Sequence, residues 1–293
     1  MIYLESFRLA SERDETNYFF GCQKLDMTCY TNNIYPFKIF PFKHMERLDF
    51  SPITLLYGGN GSGKSTVLNI IAQKLNLRRI SPYNRTPFFD DYLDYCYAEL
   101  FRDKLPPDGS CIITSDDVFD FMLSLRGLNQ GVDRAREELF EEWDELRKNR
   151  DGFQMRSLAD LEELQLRNEA RTKTRSEFTA RRIPQNLKGQ SNGESAYGYF
   201  AEKIRGNALY LLDEPENSLS AQRQMELAQF LEDSARFYGC QFIISTHSPF
   251  LLAMKGARIY DLDTSPVETR KWTELSNVRL YHDFFEAHRL DFS

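Results

Sequence analysis

The apolar positions change their period along the chain. Ile2 to Leu9, Tyr35 to Phe40 and Ile53 to Tyr57 are rich in aromatic and β-branched residues, with turn formers such as Thr31-Asn32-Asn33 between them, and they predict strands. From Ser65 the period lengthens. Val67, Leu68, Ile71, Ala72 and Leu75 fall at helical spacing directly after a glycine-rich loop, so strand, loop and helix form one predicted unit. Prolines 82, 87, 106 and 107 mark residues 80–110 as irregular surface structure. Cys111 to Thr114 then predicts a short strand, and Ser115-Asp116-Asp117 predicts the cap of a helix over Val118 to Leu125.

Half of residues 133–182 are charged, with both signs interleaved and no proline, which predicts solvated helices. Val132, Ala135, Leu139, Trp143 and Leu146 step by three or four into one apolar stripe, and Asp151-Gly152 offers a turn before a second helix. A helical hairpin is expected, too short in its stripe for a long coiled coil. The last third alternates again. Leu209 to Leu212 and Gln241 to Ser245 read as buried strands flanking a helix over Ala221 to Phe237, the pattern of a parallel sheet covered on both faces.

Composition narrows the class without naming a function. The 293 residues carry a net charge of −7 with 41% apolar residues, which excludes collagen-like and wholly disordered chains and argues against a surface coated in basic residues for nucleic acid. The longest apolar runs fall far short of the roughly 20 residues a membrane span needs, and the start shows no secretory signal, so a cytoplasmic address with no membrane partner is the expectation. Cys22, Cys29, Cys96, Cys111 and Cys240 lack metal-ligand or disulfide spacing and read as reduced, buried thiols.

Three segments carry candidate chemistry. Gly58-Gly59-Asn60-Gly61-Ser62-Gly63-Lys64-Ser65-Thr66 fits the phosphate-loop pattern GxxxxGK[ST], with an apolar strand before it and a helix after it. Its glycines let successive N–H groups wrap a phosphate, Lys64 reaches the β- and γ-phosphates, and Ser65 offers a Mg²⁺ ligand. Leu209 to Leu212 deliver Asp213 and Glu214 to the carboxyl edge of the sheet, where ligands bind in such folds. Asp213 is the candidate for the Mg²⁺ shell and Glu214 for the general base; a plain helix-capping pair is the structural alternative. Phe242 to Ser245 deliver His247 to the same edge, where it can donate to a phosphate oxygen.

With Ser191-Asn192-Gly193-Glu194 ahead of Asp213, these segments resemble the ABC-type ATPases in order and spacing from Gly58 to Pro249. They are similar to the soluble branch, which includes chromosome-maintenance and recombination-repair ATPases and the ATPase modules of phage-defence nucleases. The whole chain resembles the small stand-alone AAA-family ATPases of bacteria. The resemblance implies an α/β P-loop NTPase of ABC-ATPase type, with a mainly parallel sheet, an antiparallel N-terminal β part and a helical insertion. It implies one domain over 1–293: a β and phosphate-loop lobe (1–126), a helical insertion ending in the signature segment (127–200), and a C-terminal α/β part (201–293).

It further implies ATP and Mg²⁺ as cofactors and a homodimer with ATP sandwiched between protomers. Ser191, Gly193 and Glu194 would act in trans, Asn217 and Ser218 would form the loop coupling the two sites, and Arg8 of the Phe7-Arg8 pair would approach the nucleotide. The family's glutamine after the strand that follows the phosphate-loop helix is missing: Ser115-Asp116-Asp117 stands there, best read as a helix cap, and Gln130 is a second candidate. The segment Asn186-Leu187-Lys188-Gly189 is no guanine-reading element, which favours ATP over GTP. His282, Asp283 and His288 read as surface residues. The expected activity is ATP hydrolysis driving opening and closing; the alternative is a nucleotide-gated module binding DNA or a separately encoded effector, through the basic run Arg167, Arg171, Lys173, Arg175, Arg181 and Arg182.

Overall fold

A computed structural model describes residues 1–21, 34–148, 160–180, 182–183 and 192–292. The chain divides into two compact units, Met1–Phe119 with Asn192–Ser293, and Asp120–Ser191.

The first unit holds two sheets. Strands β1 (Leu4–Arg8), β2 (Arg47–Asp49), β3 (Ile53–Tyr57), β4 (Tyr97–Leu100), β5 (Cys111–Thr114), β6 (Leu209–Asp213), β7 (Gln241–Ser245), β8 (Arg258–Asp261) and β9 (Glu268–Thr269) are ordered β2-β1-β4 in one sheet and β5-β6-β7-β3-β8-β9 in the other. The small sheet is antiparallel; in the large one every pair is parallel except β8 with β9. The expected mainly parallel sheet with an antiparallel N-terminal part is thus what the chain forms. Every residue of β3 and β7 is buried, which is why those strands are mostly apolar without the alternation of a half-exposed strand. Strand β7 lies between β3 and β6, so whatever leaves its carboxyl end stands between the exits of the other two.

A fully buried amide helps to join the sheets, beside Tyr260 and Arg258 of β8, which bond the Asp49 backbone of β2. Gln241, fully buried, accepts from the N–H groups of Tyr3 at 2.7 Å and Leu4 at 2.9 Å, and donates to the carbonyls of Leu4 at 2.8 Å and Ser51 at 3.3 Å. A buried amide satisfied in this way is costly to remove, because its backbone partners lose their hydrogen bonds together. Gln241→Leu is expected to lower stability by about 3 kcal/mol, read from the urea midpoint; an unchanged midpoint would count against this bridge.

Helices α1 (Glu12–Gly21), α2 (Lys64–Lys74), α3 (Phe89–Asp94), α4 (Ser115–Lys148), α5 (Leu161–Thr172), α6 (Arg175–Ala180), α7 (Asn192–Lys203), α8 (Ala221–Phe237), α9 (Pro249–Leu252) and α10 (Ser276–Ala287) complete the described elements, with short 3-10 turns. The packing of α2 uses Val67, Leu68, Ile70, Ile71 and Ala72, all fully buried. Each large apolar side chain removed from water stabilises by about 1.5–3 kcal/mol.

Three expectations are corrected. Tyr35 to Phe40 is a run of turns, not a strand, because Pro36 and Pro41 lack the N–H a ladder needs; its aromatics serve packing, with Phe37 and Phe40 buried in the core. Residues 80–110 are not wholly irregular: they contain α3, which buries Phe89 and Tyr92, and β4, which pairs with β1. Strand β4 is half exposed and carries Glu99, so it has little of the apolar signal of a core strand. The helix expected over Val118 to Leu125 does not end there; α4 continues through Gly127 and Gly131 for 34 residues.

In the second unit the stripe Val132, Ala135, Leu139, Trp143 and Leu146 is half-buried along α4. The Trp143 indole donates to the Lys173 carbonyl at 3.3 Å, and the Arg175 guanidinium stacks 4.2 Å from the Phe140 ring. The turn expected at Asp151-Gly152 lies outside the described residues. Among the described residues no helix is long and apolar enough to cross a membrane. Cys96, Cys111 and Cys240 are buried and free, and burial pushes their thiols up, that of Cys96 to about 12, which makes them inert. Cys22 and Cys29 lie outside the described residues.

Candidate functional site

The carboxyl ends of β3, β7 and β6 deliver the phosphate loop, His247 and the Asp213-Glu214 pair to one edge. Gly61 and Gly63 have φ of +79° and +98°, a region that residues with a Cβ rarely enter. At Gly58 the constraint is steric: a Cβ there would stand 2.6 Å from Ser62 Oγ. Ser62 Oγ is itself buried and has no hydrogen-bond partner among the described residues. Helix α2 begins right after Gly63, which offers no side-chain cap to the first amides of the helix.

Lys64 is 4% exposed, and its ammonium donates to the carbonyls of Gly58 at 2.7 Å and Gly59 at 3.1 Å while lying 3.4 Å from Glu214 Oε1. Ser65 Oγ donates to Asp213 Oδ1 at 3.0 Å, and the Ser245 hydroxyl donates to the same oxygen. Burial raises the Asp213 carboxyl above the usual carboxylate range, against the hydrogen bonds from Ser245 and Ser65 that favour its charge. Thr66 is buried and meets the Tyr35 hydroxyl at 3.2 Å.

Glu214 leaves β6 with φ of +48°, its N–H donating to the Ser245 carbonyl and hydroxyl, each at 3.1 Å. Its Oε2 accepts from Asn217 at 3.1 Å, within the 3-10 turn Pro215–Ser218 that also holds Ser218. His247 Nδ1 stands 3.9 Å from Glu214 and 3.5 Å from Glu216. Lys64, Ser65, Asp213, Glu214 and His247 therefore form one connected cluster.

Other residues named from the sequence stand apart from it. Arg8 is exposed on β1 and pairs with Asp14 at 3.6 Å. Glu194, on α7, bonds Arg223 at 3.1 Å; Gly193 lies on the same helix, and Ser191 lies outside the described residues. The Asp117 carboxylate is committed to structure, accepting from Thr114 N and Oγ1 at 2.7 and 2.9 Å and from Ser81 N and Oγ at 2.9 and 2.7 Å. It closes the turn at the start of α4, while Asp116 and Gln130 are exposed. His282 bonds Asp283 at 3.1 Å on the surface, and His288 bonds the Phe284 carbonyl.

Three further residues were not found in the sequence. Buried Glu216 accepts from Thr246 Oγ1 at 2.7 Å, His247 N at 2.9 Å and Ser248 N at 3.2 Å, and so fixes the loop that carries His247. Asn277 on α10 donates to the His247 carbonyl at 3.3 Å. Asp263, after β8, accepts from Gly59 N. Only Glu216 left a signal, as the second acid of Asp-Glu-Pro-Glu-Asn. A cavity of about 640 Å³ lined by Gly58, Gly59, Asn60, His247, Asp263 and Asn277 opens beside the loop.

Residues 33–87 match a family model described as "AAA domain", and residues 182–253 match one described as "AAA domain, putative AbiEii toxin, Type IV TA system". The first holds the phosphate loop and the second holds Asp213, Glu214 and His247, on a mainly parallel sheet. Both matched models are thus AAA domains, and between them they hold the residues of the cluster. The chain is also similar to solved structures of low sequence identity. The Smc head domain of Pyrococcus furiosus, with an extended coiled coil and bound to the C-terminal domain of ScpA, is 15% identical with a TM-score of 0.45, over 99% of this chain and 100% of that one. A dimeric bacterial ABC transporter cassette is 15% identical with a TM-score of 0.38, over 77% and 88%. The SMC head domain of Thermotoga maritima is 14% identical with a TM-score of 0.37, over 76% and 92%. No curated protein matches the chain.

Proposed function

We propose that the protein binds ATP with Mg²⁺, closes as a head-to-tail homodimer around two nucleotides, and hydrolyses ATP to reopen. The observation that carries this reading is the cluster at the sheet edge: Lys64 lies 3.4 Å from Glu214, and Ser65 lies 3.0 Å from Asp213. The residues present fit both groups. Ser62 Oγ, buried and without a hydrogen-bond partner among the described residues, is a donor held ready beside the loop amides, and the Ser65 and Asp213 oxygens make a pair of hard ligands suited to Mg²⁺. Bound there, the metal supplies charge neutralisation at the phosphates.

The chain's own groups divide the remaining tasks. Gly58, Asn60, Gly61, Ser62, Gly63, Lys64, Ser65 and Thr66 hold the phosphates; the Lys64 ammonium moves from the Gly58 and Gly59 carbonyls to phosphate oxygens. Glu214, freed from Lys64 by that move and oriented by Asn217, takes the proton of the attacking water. His247, kept in place by Glu216 and Asn277, donates to the γ-phosphate. Ser191, Gly193 and Glu194 complete the partner's site, Asn217 and Ser218 couple the two sites, and Arg8 is the outlying candidate on β1.

Four of the six basic residues of the run named for the DNA-binding alternative are paired with acids of the chain, while Arg171 is exposed. Arg167 pairs with Glu163 at 2.7 Å, Lys173 and Arg182 with Glu169 at 2.8 and 2.7 Å, and Arg175 with Asp144 at 3.5 Å. Arg181 lies outside the described residues. The dimer is tested by Ser191→Arg, expected to retain ATP binding and to lose the ATP-induced dimer in gel filtration. A dimer that forms normally in this variant would refute the trans role of the signature.

A further inference from the structure

The turn after β8 touches the phosphate loop from outside the motif. Both carboxylate oxygens of Asp263 lie 3.0 Å from Gly59 N, on the segment by which β3 enters the loop. Asp263 is separated by 204 residues from the amide it holds, so the contact ties two neighbouring strand exits rather than closing a local turn.

The turn that carries it is held on both sides by hydrogen bonds. Leu262, fully buried, donates its N–H to the Tyr57 carbonyl at 2.8 Å, which continues the pairing of Tyr57 with Asp261. The buried Asp261 carboxylate accepts from Asp263 N at 3.0 Å, and Arg270 lies 3.8 Å from Asp261 Oδ2. From the other side Lys43 donates its ammonium to the Leu262 carbonyl, near enough to Asp261 and Asp263 to feel both charges. Asp263 is thus a fixed post with a compensating cation beside it.

The loop facing this post has four glycines in its first six residues, and such a backbone loses much conformational freedom when it is ordered. A contact that orders it before a ligand arrives removes part of that cost from binding. The contact also aims the Gly59 amide at Asp263, outside the ring of amides left for a phosphate. The adjacent backbone has little slack, since a Cβ on Gly58 would stand 3.1 Å from Asp263 Oδ1 and 2.6 Å from Ser62 Oγ.

We propose that Asp263 is a positioning residue for the phosphate loop: its carboxylate holds Gly59 and presets the loop in its phosphate-binding shape, and so raises nucleotide affinity without touching the nucleotide. The inference rests on the nucleotide-site reading above. It turns on the hydrogen bond, not on the negative charge, because an anion this close to the loop opposes phosphate binding unless the tether outweighs it. Asparagine, which keeps one acceptor oxygen, substitutes for it; alanine does not.

The test uses the full chain with Asp263→Ala and Asp263→Asn. Asp263 is an exposed turn residue, so both variants are expected to fold, as a thermal melt checks. Two measurements follow: hydrogen exchange of the 58–63 segment without nucleotide, and the Kd for ADP with Mg²⁺, a probe that involves no turnover. The expected result is lost protection and about tenfold weaker ADP binding in the alanine variant, with the asparagine variant within about twofold of the wild type in both. Protection unchanged in the alanine variant overturns the tether. Lost protection with unchanged affinity overturns its role in binding, and tighter ADP binding by the alanine variant shows the carboxylate competing with phosphate and overturns the proposal. Failure of the wild type to bind ADP strikes the nucleotide reading instead and leaves the tether to the exchange result.

Discussion

Replacing Glu214 with glutamine is expected to reduce ATP turnover by about a thousandfold while leaving nucleotide affinity within a few fold, since a positioned general base contributes about 10² to 10⁴ in rate. The substitution is nearly isosteric. Glu214 is held from its backbone, with φ of +48° and an N–H bonded to Ser245, so the side chain of the variant starts from the same place. Glutamine can keep an oxygen toward Asn217, 3.1 Å away in the wild type, but it cannot take a proton from water. At 23% exposed, the carboxylate is open enough for water to reach it and near enough to Lys64 to change partner when phosphate arrives. Phosphate release measures the loss, and the same variant with ATP is expected to accumulate as a dimer in gel filtration. Undiminished release would remove Glu214 from the role of base.

Lys64→Ala is expected to act one step earlier, weakening ATP binding by about a hundredfold or more, because charged hydrogen bonds contribute about 1.5–3 kcal/mol each and the ammonium offers three donors. In the structure those donors are directed to the Gly58 and Gly59 carbonyls and face Glu214, all within 3.4 Å. Without the ammonium, two carbonyl dipoles and a carboxylate confront the phosphates unscreened. Because Lys64 is almost completely buried, alanine also leaves a void; Lys64→Met keeps most of the stem and separates lost packing from lost charge. Both variants are expected to lose ATP binding in calorimetry, and only alanine to lose measurable stability. Binding retained by Lys64→Met would show that the loop amides suffice without the charge.

What could be read from the sequence was contiguous in it. The phosphate loop spans nine adjacent residues between a strand and a helix, and the runs before Asp213 and His247 carry apolar stretches, Leu209 to Leu212 and Phe242 to Ile244, because both their faces are covered. What could not be read depends on partners far away in the chain. Glu216 serves a loop about 30 residues on, Gln241 joins β7 to β1 across more than 230 residues, and Asp263 holds Gly59 across 204; apart from the acidic context of Glu216, none of these leaves a local pattern to detect. The misread strand at Tyr35 to Phe40 has a local cause. Its aromatics satisfied a strand pattern, but the prolines at 36 and 41 denied it a ladder, and Phe37 and Phe40 entered the core from turns instead. Strand β4 was missed for the opposite reason, being a half-exposed strand whose pairing with β1 carries it.

The central claim is that two copies of the chain must meet to hydrolyse ATP, and the rate of ATP hydrolysis per subunit against protein concentration tests it most directly. A transition-state contact supplied in trans is worth about 10³ to 10⁵ in related phosphoryl-transfer systems, so monomers are expected to be nearly silent. The account predicts a rate per subunit that rises with concentration toward a plateau and that disappears in Glu214→Gln. A rate per subunit that is flat across concentration, or unchanged by Glu214→Gln, would contradict it.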